Sequence, residues 1–228
     1  MYALKISCKN YSNAVFPNAM VAGDIVITHL LSRLRYFEWW NMHDYVRVHL
    51  SSIFRDHGIP QEYWSTLWLQ KTGYDAKYGA DLWKKDIEQY DNNMTYDKIC
   101  KVQPFQRGLK ILRTDLMING STRWQGFERA YIDLSDNTPI GEGFAKFNPL
   151  AYWTLQDTFN YIPKYDVPYH PLYDKGYPSH WDAKDTIPIP EDGSTRFVNG
   201  KFEGDPTPWL DYASEQKGRF VGLVNKDV

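Results

Sequence analysis

Ala14-Val15-Phe16-Pro17-Asn18-Ala19-Met20-Val21-Ala22-Gly23-Asp24-Ile25-Val26-Ile27-Thr28-His29-Leu30-Leu31-Ser32-Arg33-Leu34 joins a short apolar run, through a loop, to a longer one. Pro17-Asn18 ends the first run, and Asp24 stands where an N-cap belongs. Ile25, Val26, Ile27, Leu30, Leu31 and Leu34 follow at mixed spacing, so the segment reads as strand, loop, helix. A second such unit follows. Tyr36 to Trp40 is an aromatic run, Val46, Leu50, Ile53 and Phe54 recur at helical spacing, and Gly58-Ile59-Pro60 closes the unit.

Farther along, Tyr63 to Leu69 reads as a further strand and Lys71 to Asp97 as surface helix and loop anchored by Trp83 and Tyr90. Phe105 to Leu112 reads as helix after Pro104, Leu116-Met117-Ile118 as a buried strand, and Tyr131 to Leu134 and Phe144 to Phe147 as shorter strands. Thr154-Leu155-Gln156-Asp157 has the form of a capping box, and Leu155, Phe159 and Ile162 make the apolar stripe of a helix that Pro163 should end or kink. Alternating strands and helices imply an α/β fold, a mainly parallel twisted sheet flanked by helices, with ligands beyond the C-terminal strand ends. From Tyr165 onward prolines recur at 168, 171, 178, 188, 190, 206 and 208. The expectation is therefore a single domain over 1–228, with a core to about residue 165 and an extended C-terminal arm over about 166–228.

A chain of 228 residues is long enough to bury its own core. With 26 Lys plus Arg against 28 Asp plus Glu, the net charge of −2 gives no electrostatic reason to expect nucleic acid or an anionic membrane as partner. Aromatic residues make up 16%, which argues against disorder. The two cysteines, Cys8 and Cys100, are too few for a four-cysteine zinc or iron–sulfur site or a disulfide scaffold. Met20 to Leu34, the most apolar early stretch, is broken by Asp24, His29 and Arg33, so neither signal peptide nor membrane span is expected, and a cytoplasmic location is.

Several residues could carry chemistry. Arg123, in Gly120-Ser121-Thr122-Arg123, and Arg129 follow the strand at Leu116 to Ile118. Two planar guanidinium forks after a strand end can clamp a phosphate or sulfate bidentately, though two surface ion pairs fit the spacing equally well. His170 is held between Pro168 and Pro171, a setting that also suits a purely structural histidine. The loop from Pro17 to Asp24 could bring backbone N–H groups to an anion, with Asn18, Gly23 and Asp24 in place. Asp182 and Asp185 have no third ligand nearby and read as a solvated arm, and no metal is expected. Cys100, beside Lys101, reads as a packed thiol.

Pro168-Tyr169-His170-Pro171-Leu172-Tyr173-Asp174-Lys175-Gly176-Tyr177-Pro178-Ser179 resembles, almost residue for residue, the YHPL…D.GY.S motif of the phosphoadenosine phosphosulfate (PAPS) reductase family, of the adenine-nucleotide hydrolase-like (PP-loop-related) fold. Tyr78-Gly79 with Leu82-Trp83, Lys101-Val102-Gln103-Pro104 with Arg107 and Leu109, and Pro149-Leu150 with Trp153 are similar to other family stretches. Gly120 to Ala130 resembles G.RR.QS..RA, and Val15 to Leu31 the first strand, phosphate loop and helix. The resemblance implies a nucleotide site of Asn18, Gly23, Asp24, Lys101, Arg123, Arg129 and His170.

The departures from the family are specific. Arg219-Phe220-Val221-Gly222-Leu223 resembles the family's RFFGL lead-in to its ECGLH segment, but Asp227 stands where the nucleophilic cysteine belongs. The paired cysteines of the iron–sulfur branch are absent too, so the resemblance is to the cluster-free branch, with no bound cofactor expected. The loop lacks the family's serines and carries Val21 where glycine is usual. The expected function is binding of PAPS or an adenosine 3′,5′-bisphosphate-like nucleotide without thiol-dependent reduction. Two alternatives stand beside it. One is an active, thioredoxin-dependent reductase using Cys100 or another thiol. The other is a non-enzymatic interaction protein presenting Tyr36, Phe37, Trp39, Trp40, Trp64 and Trp68. The resemblance also implies a homodimer.

Overall fold

The computed structural model describes residues 1–19, 21–34, 105–106, 109–110, 113–136, 143–180 and 186–218. The expected elements between Tyr36 and Asp97, and Cys100, Lys101, Asp182, Asp185 and Asp227, lie outside the described residues.

Among the described residues, β1 (Ala14–Val15), β2 (Leu116–Ile118) and β4 (Ala145–Phe147) run parallel in the order β1-β2-β4, with Ala14 opposite Leu116 and Leu116 opposite Ala145. All three residues of β2 are buried, as a central parallel strand covered on both faces requires. The expected strand at Tyr131 to Leu134 is irregular instead, with a turn at Tyr131 and a bend at Leu134. The pairing falls on β3 (Ser135–Asp136), antiparallel to β4 at the sheet edge.

Among the described residues, three helices accompany this sheet. α1 (Tyr2–Asn10), which carried no sequence signal, buries Leu4, and the Asp115 carboxylate holds its exit by accepting from the Ser12 and Asn13 amides at 2.8 and 2.9 Å. α2 (Ala22–Leu34) packs on α3 (Leu155–Lys164). The Thr154 capping box forms as read, with Thr154 Oγ1 accepting from the Asp157 amide at 3.1 Å. Leu155, Thr158, Phe159 and Ile162 are buried, and the helix ends just past Pro163.

The C-terminal segment carries short regular elements of its own. β5 (Arg196–Val198) and β6 (Lys201–Glu203) form a hairpin, and α4 (Thr207–Leu210) and α5 (Ser214–Lys217) follow. Asn199 and Gly200 make its two-residue turn, both at positive φ (50° and 75°), as the twist-matched hairpin turn requires. A Cβ on Gly200 would lie 2.8 Å from Cβ of Pro163, so the turn also sits against the end of α3. Phe159 joins the two regions: its ring lies 4.8 Å from Phe197, 5.2 Å from Phe202, 5.6 Å from Tyr173 and 5.6 Å from Trp209.

Phe159→Ala empties the centre of this cluster and is expected to cost about 3–5 kcal/mol, read as a lowered denaturant midpoint. A loss below about 1 kcal/mol would mean that the rings close over the gap. At the α2–α3 contact, His29 Nδ1 lies 2.8 Å from the Tyr161 hydroxyl. Burial, then Arg33, pushes the imidazole below its ordinary 6.5. The unfolded chain therefore takes up the proton first, and stability should fall as pH drops through 6.5 towards the folded value. An NMR titration should place the His29 midpoint below 6.5, and a midpoint at or above 6.5 would contradict this.

Candidate functional site

Parallel strands bring their C-terminal ends to one edge, and here that edge carries Phe16-Pro17-Asn18 after β1, Asn119-Gly120-Ser121-Thr122 after β2 and Asn148-Pro149 after β4. Backbone bonds knit the loops together: the Asn119 amide donates to the Phe147 carbonyl and the Arg123 amide to the Ala151 carbonyl, both at 2.9 Å.

Asp24 is the wedge between the first two loops. It is not the N-cap: α2 begins at Ala22, and the buried carboxylate reaches back to accept from the Ala19 amide at 2.7 Å. Its other oxygen lies against Gly120, where a Cβ would come within 2.0 Å. A Cβ on Gly23 would in turn lie 3.2 Å from the Gly120 carbonyl oxygen. Asn18 braces the same loop, its Nδ2 donating at 2.6 Å to Thr28 Oγ1, which donates at 2.8 Å to the Asp24 carbonyl. Gly23, Gly120, Thr122, Gln125, Thr158 and Glu215 are among the residues that wall the small cleft beside this wedge.

The two arginines are placed differently. Arg123 Nε donates to the Ile132 carbonyl at 2.7 Å and Nη2 meets Asp133 at 3.1 Å, while the guanidinium lies 4.4 Å over the Tyr152 ring. The Tyr152 hydroxyl donates to the same Asp133, and that hydrogen bond, ahead of burial, holds the phenol above its ordinary pKa. Arg129 turns to the cleft wall, Nη1 donating to Gln125 Oε1 at 2.5 Å. His170 Nδ1 accepts from the Leu172 amide at 3.1 Å, and its ring stacks on His180 at 4.6 Å. His180 Nε2 lies 3.0 Å from the Ala19 carbonyl oxygen. The structure thus brings Asn18, Gly23, Asp24 and, through His180, His170 to the first loop, and sets Arg129 beside the cleft.

Sequence reading missed Gln125, Glu215 and His180. Gln125 lies within the G.RR.QS resemblance, whose arginines are the residues that suggest an anion clamp. His180 adjoins the last residue of the YHPL…S motif. For Glu215 no local pattern points inward.

The profile of the phosphoadenosine phosphosulfate reductase domain matches residues 64–188, more than half of the chain. This chain belongs to that family. As a family member it is 36% identical over 131 residues to a phosphoadenosine phosphosulfate reductase of Emericella nidulans, covering 58% of this chain and 40% of the relative. With that of Saccharomyces cerevisiae it shares 33% over 154 residues, covering 68% and 55%. The chain thus spans about half the length of these curated relatives. The family fold agrees with two solved structures. A phosphoadenylyl-sulfate (PAPS) reductase from Candida auris, a phosphate complex, has a TM-score of 0.52 at 20% identity, covering 77% of this chain and 84% of that one. FMN adenylyltransferase from Candida glabrata has 0.50 at 14%, covering 82% and 58%. The mixed α/β fold with a mainly parallel sheet read from the sequence is the observed one. Among the described residues, no helix is long and apolar enough to cross a membrane.

Gly120→Ala tests the wedge. Asp24 cannot swing aside without releasing the Ala19 amide, so the variant should lose about 1–3 kcal/mol in chemical denaturation. Unchanged stability would show that the carboxylate does not fix the loops.

Proposed function

We propose that this PAPS-reductase-family chain binds an adenine nucleotide of the PAPS or adenosine 3′,5′-bisphosphate type at the C-terminal edge of its sheet, and that it does not carry out thiol-dependent reduction. The observation that carries the first half is the closure of the β1 and β2 loops on each other by Asp24 and Gly120, with Arg129 beside the resulting cleft. A guanidinium matches the paired oxygens of a phosphate or sulfate, and its attraction is stronger in a partly dry cleft than in water. Arg123 is paired with Asp133 apart from the cleft, whereas the His170–His180 stack supports the loop at Ala19. Family membership and the names of the curated relatives favour PAPS over other adenine nucleotides.

The second half rests on residue 227. Reduction needs a thiolate to attack the sulfonate sulfur, form a sulfur–sulfur bond and expel adenosine 3′,5′-bisphosphate. A reduced thioredoxin then releases sulfite. A carboxylate oxygen attacking the same sulfur makes an acyl sulfate in which sulfur keeps its oxidation state, so hydrolysis returns sulfate. Asp227 occupies the cysteine position of the family pattern, and Cys8 and Cys100 are too few for a four-cysteine iron–sulfur site, so the proposed chemistry involves no bound cofactor.

Calorimetric titration is expected to show adenosine 3′,5′-bisphosphate binding in preference to ATP, and Arg129→Ala should weaken it about tenfold or more. No heat with either nucleotide would overturn the binding assignment. Incubation with PAPS and reduced thioredoxin should release no sulfite above the blank, and sulfite release would overturn the loss of reduction.

A further inference from the structure

Gln125 and Glu215 are both buried, at 6% and 7% exposure, and lie 90 residues apart in sequence, yet they meet at the wall of the cleft. Gln125 Nε2 donates to Glu215 Oε2 at 2.8 Å. On its other side, Gln125 Oε1 accepts from Arg129 Nη1 at 2.5 Å and from the Thr122 amide at 3.2 Å. These three bonds admit one orientation of the amide. Turned over, its NH₂ would face two donors and its oxygen a carboxylate. Glu215 and the Thr122 amide together therefore decide which way Gln125 presents its oxygen, and that oxygen anchors one arm of the Arg129 guanidinium. Glu215 is itself located by Ser179, whose hydroxyl donates to Oε1 at 3.4 Å, and the next residue, His180, reaches the Ala19 carbonyl of the first loop.

We infer that Glu215 is a positioning residue for ligand binding: acting through Gln125, it aims Arg129 at the anionic group of the nucleotide. The inference rests on the proposed role of Arg129 and adds what that role leaves out, the means by which a long side chain on a short 3₁₀ turn (Phe127–Arg129) keeps one direction. What Glu215 supplies is an acceptor oxygen at a fixed place. A carboxylate does this, and so does an amide of the same shape. An arginine held in advance loses less side-chain entropy when its ligand arrives, so removing the anchor lowers affinity even though Arg129 is still present.

The test is a double-mutant cycle in the intact chain, read by calorimetry with adenosine 3′,5′-bisphosphate. Glu215→Met, which removes the acceptor at similar volume, should weaken binding about tenfold. Glu215→Gln, whose amide oxygen can still accept from Gln125 Nε2, should stay within about threefold of the parent. In an Arg129→Ala background, Glu215→Met should cost almost nothing further, because the anchoring acts through Arg129, and Glu215→Gln, which removes the same charge from the cleft wall, separates out any direct effect of that charge on the ligand. Full additivity of the two losses would overturn the inference and leave the nucleotide site standing. An Arg129→Ala variant that binds like the parent would overturn the role of Arg129 and with it this inference. Should Glu215→Met lose its cooperative melting transition, Gln125→Met breaks the relay at its other member. Loss that vanishes in the Arg129→Ala background again supports the inference, and additive loss again overturns it.

Discussion

Among the described residues, the buried Asp24 carboxylate ties the first two loops at the C-terminal edge of the sheet to each other. Asp24 accepts from the Ala19 amide with one oxygen and fills the space over Gly120 with the other. Burying a carboxylate is costly unless its oxygens are satisfied, and the two loops meet where that satisfaction is available. The requirement propagates. Residue 120 must lack a side chain, Gly23 must come close to its carbonyl, and the first turn of α2 must start far enough ahead of Asp24 for the side chain to reach back. The cleft wall follows from these constraints, because the chain leaving Gly120 leads directly to Thr122, Gln125 and Arg129.

Beyond this wedge the polar groups are arranged in series. Glu215 on α5 reaches Gln125, Gln125 reaches Arg129, and Ser179 carries Glu215 back to the segment whose next residue, His180, touches the first loop. Arg123, only six residues from Arg129, belongs to a separate and more exposed group with Asp133 and Tyr152. Two arginines that look equivalent in sequence are thus unequal in the fold: one is braced on the cleft wall and the other sits over a tyrosine ring and is paired with Asp133.

How much of this was legible depends on how local the cause is. The Thr154 capping box, the buried strand at Leu116 to Ile118 and the strand ending at Phe147 are determined by neighbours within a few residues, and they stand where the sequence places them. The edge pairing was displaced from Tyr131–Leu134 to Ser135–Asp136, because a two-residue strand takes its position from its partner rather than from its own periodicity. The Asn199-Gly200 turn between Phe197 and Phe202 is a hairpin signal in the sequence, set among prolines that by themselves suggest extended chain. Asp24 reads in the sequence as an N-cap, since nothing in a linear sequence distinguishes a cap from a side chain that folds back onto its own loop. The Gln125–Glu215 contact had no local signature, as its two members are 90 residues apart.

Phe159 carries a different kind of consequence. Its ring is shared between α3 and the C-terminal segment, with Tyr173, Phe197, Phe202 and Trp209 around it. The segment after residue 165 is therefore not an appendage that could be exchanged as a cassette between relatives. A chimaera joined at that point would inherit one half of an aromatic jigsaw and would have to import matching residues on α3 to close it. Insertions and grafts belong instead on the exposed turns, where no ring crosses the seam.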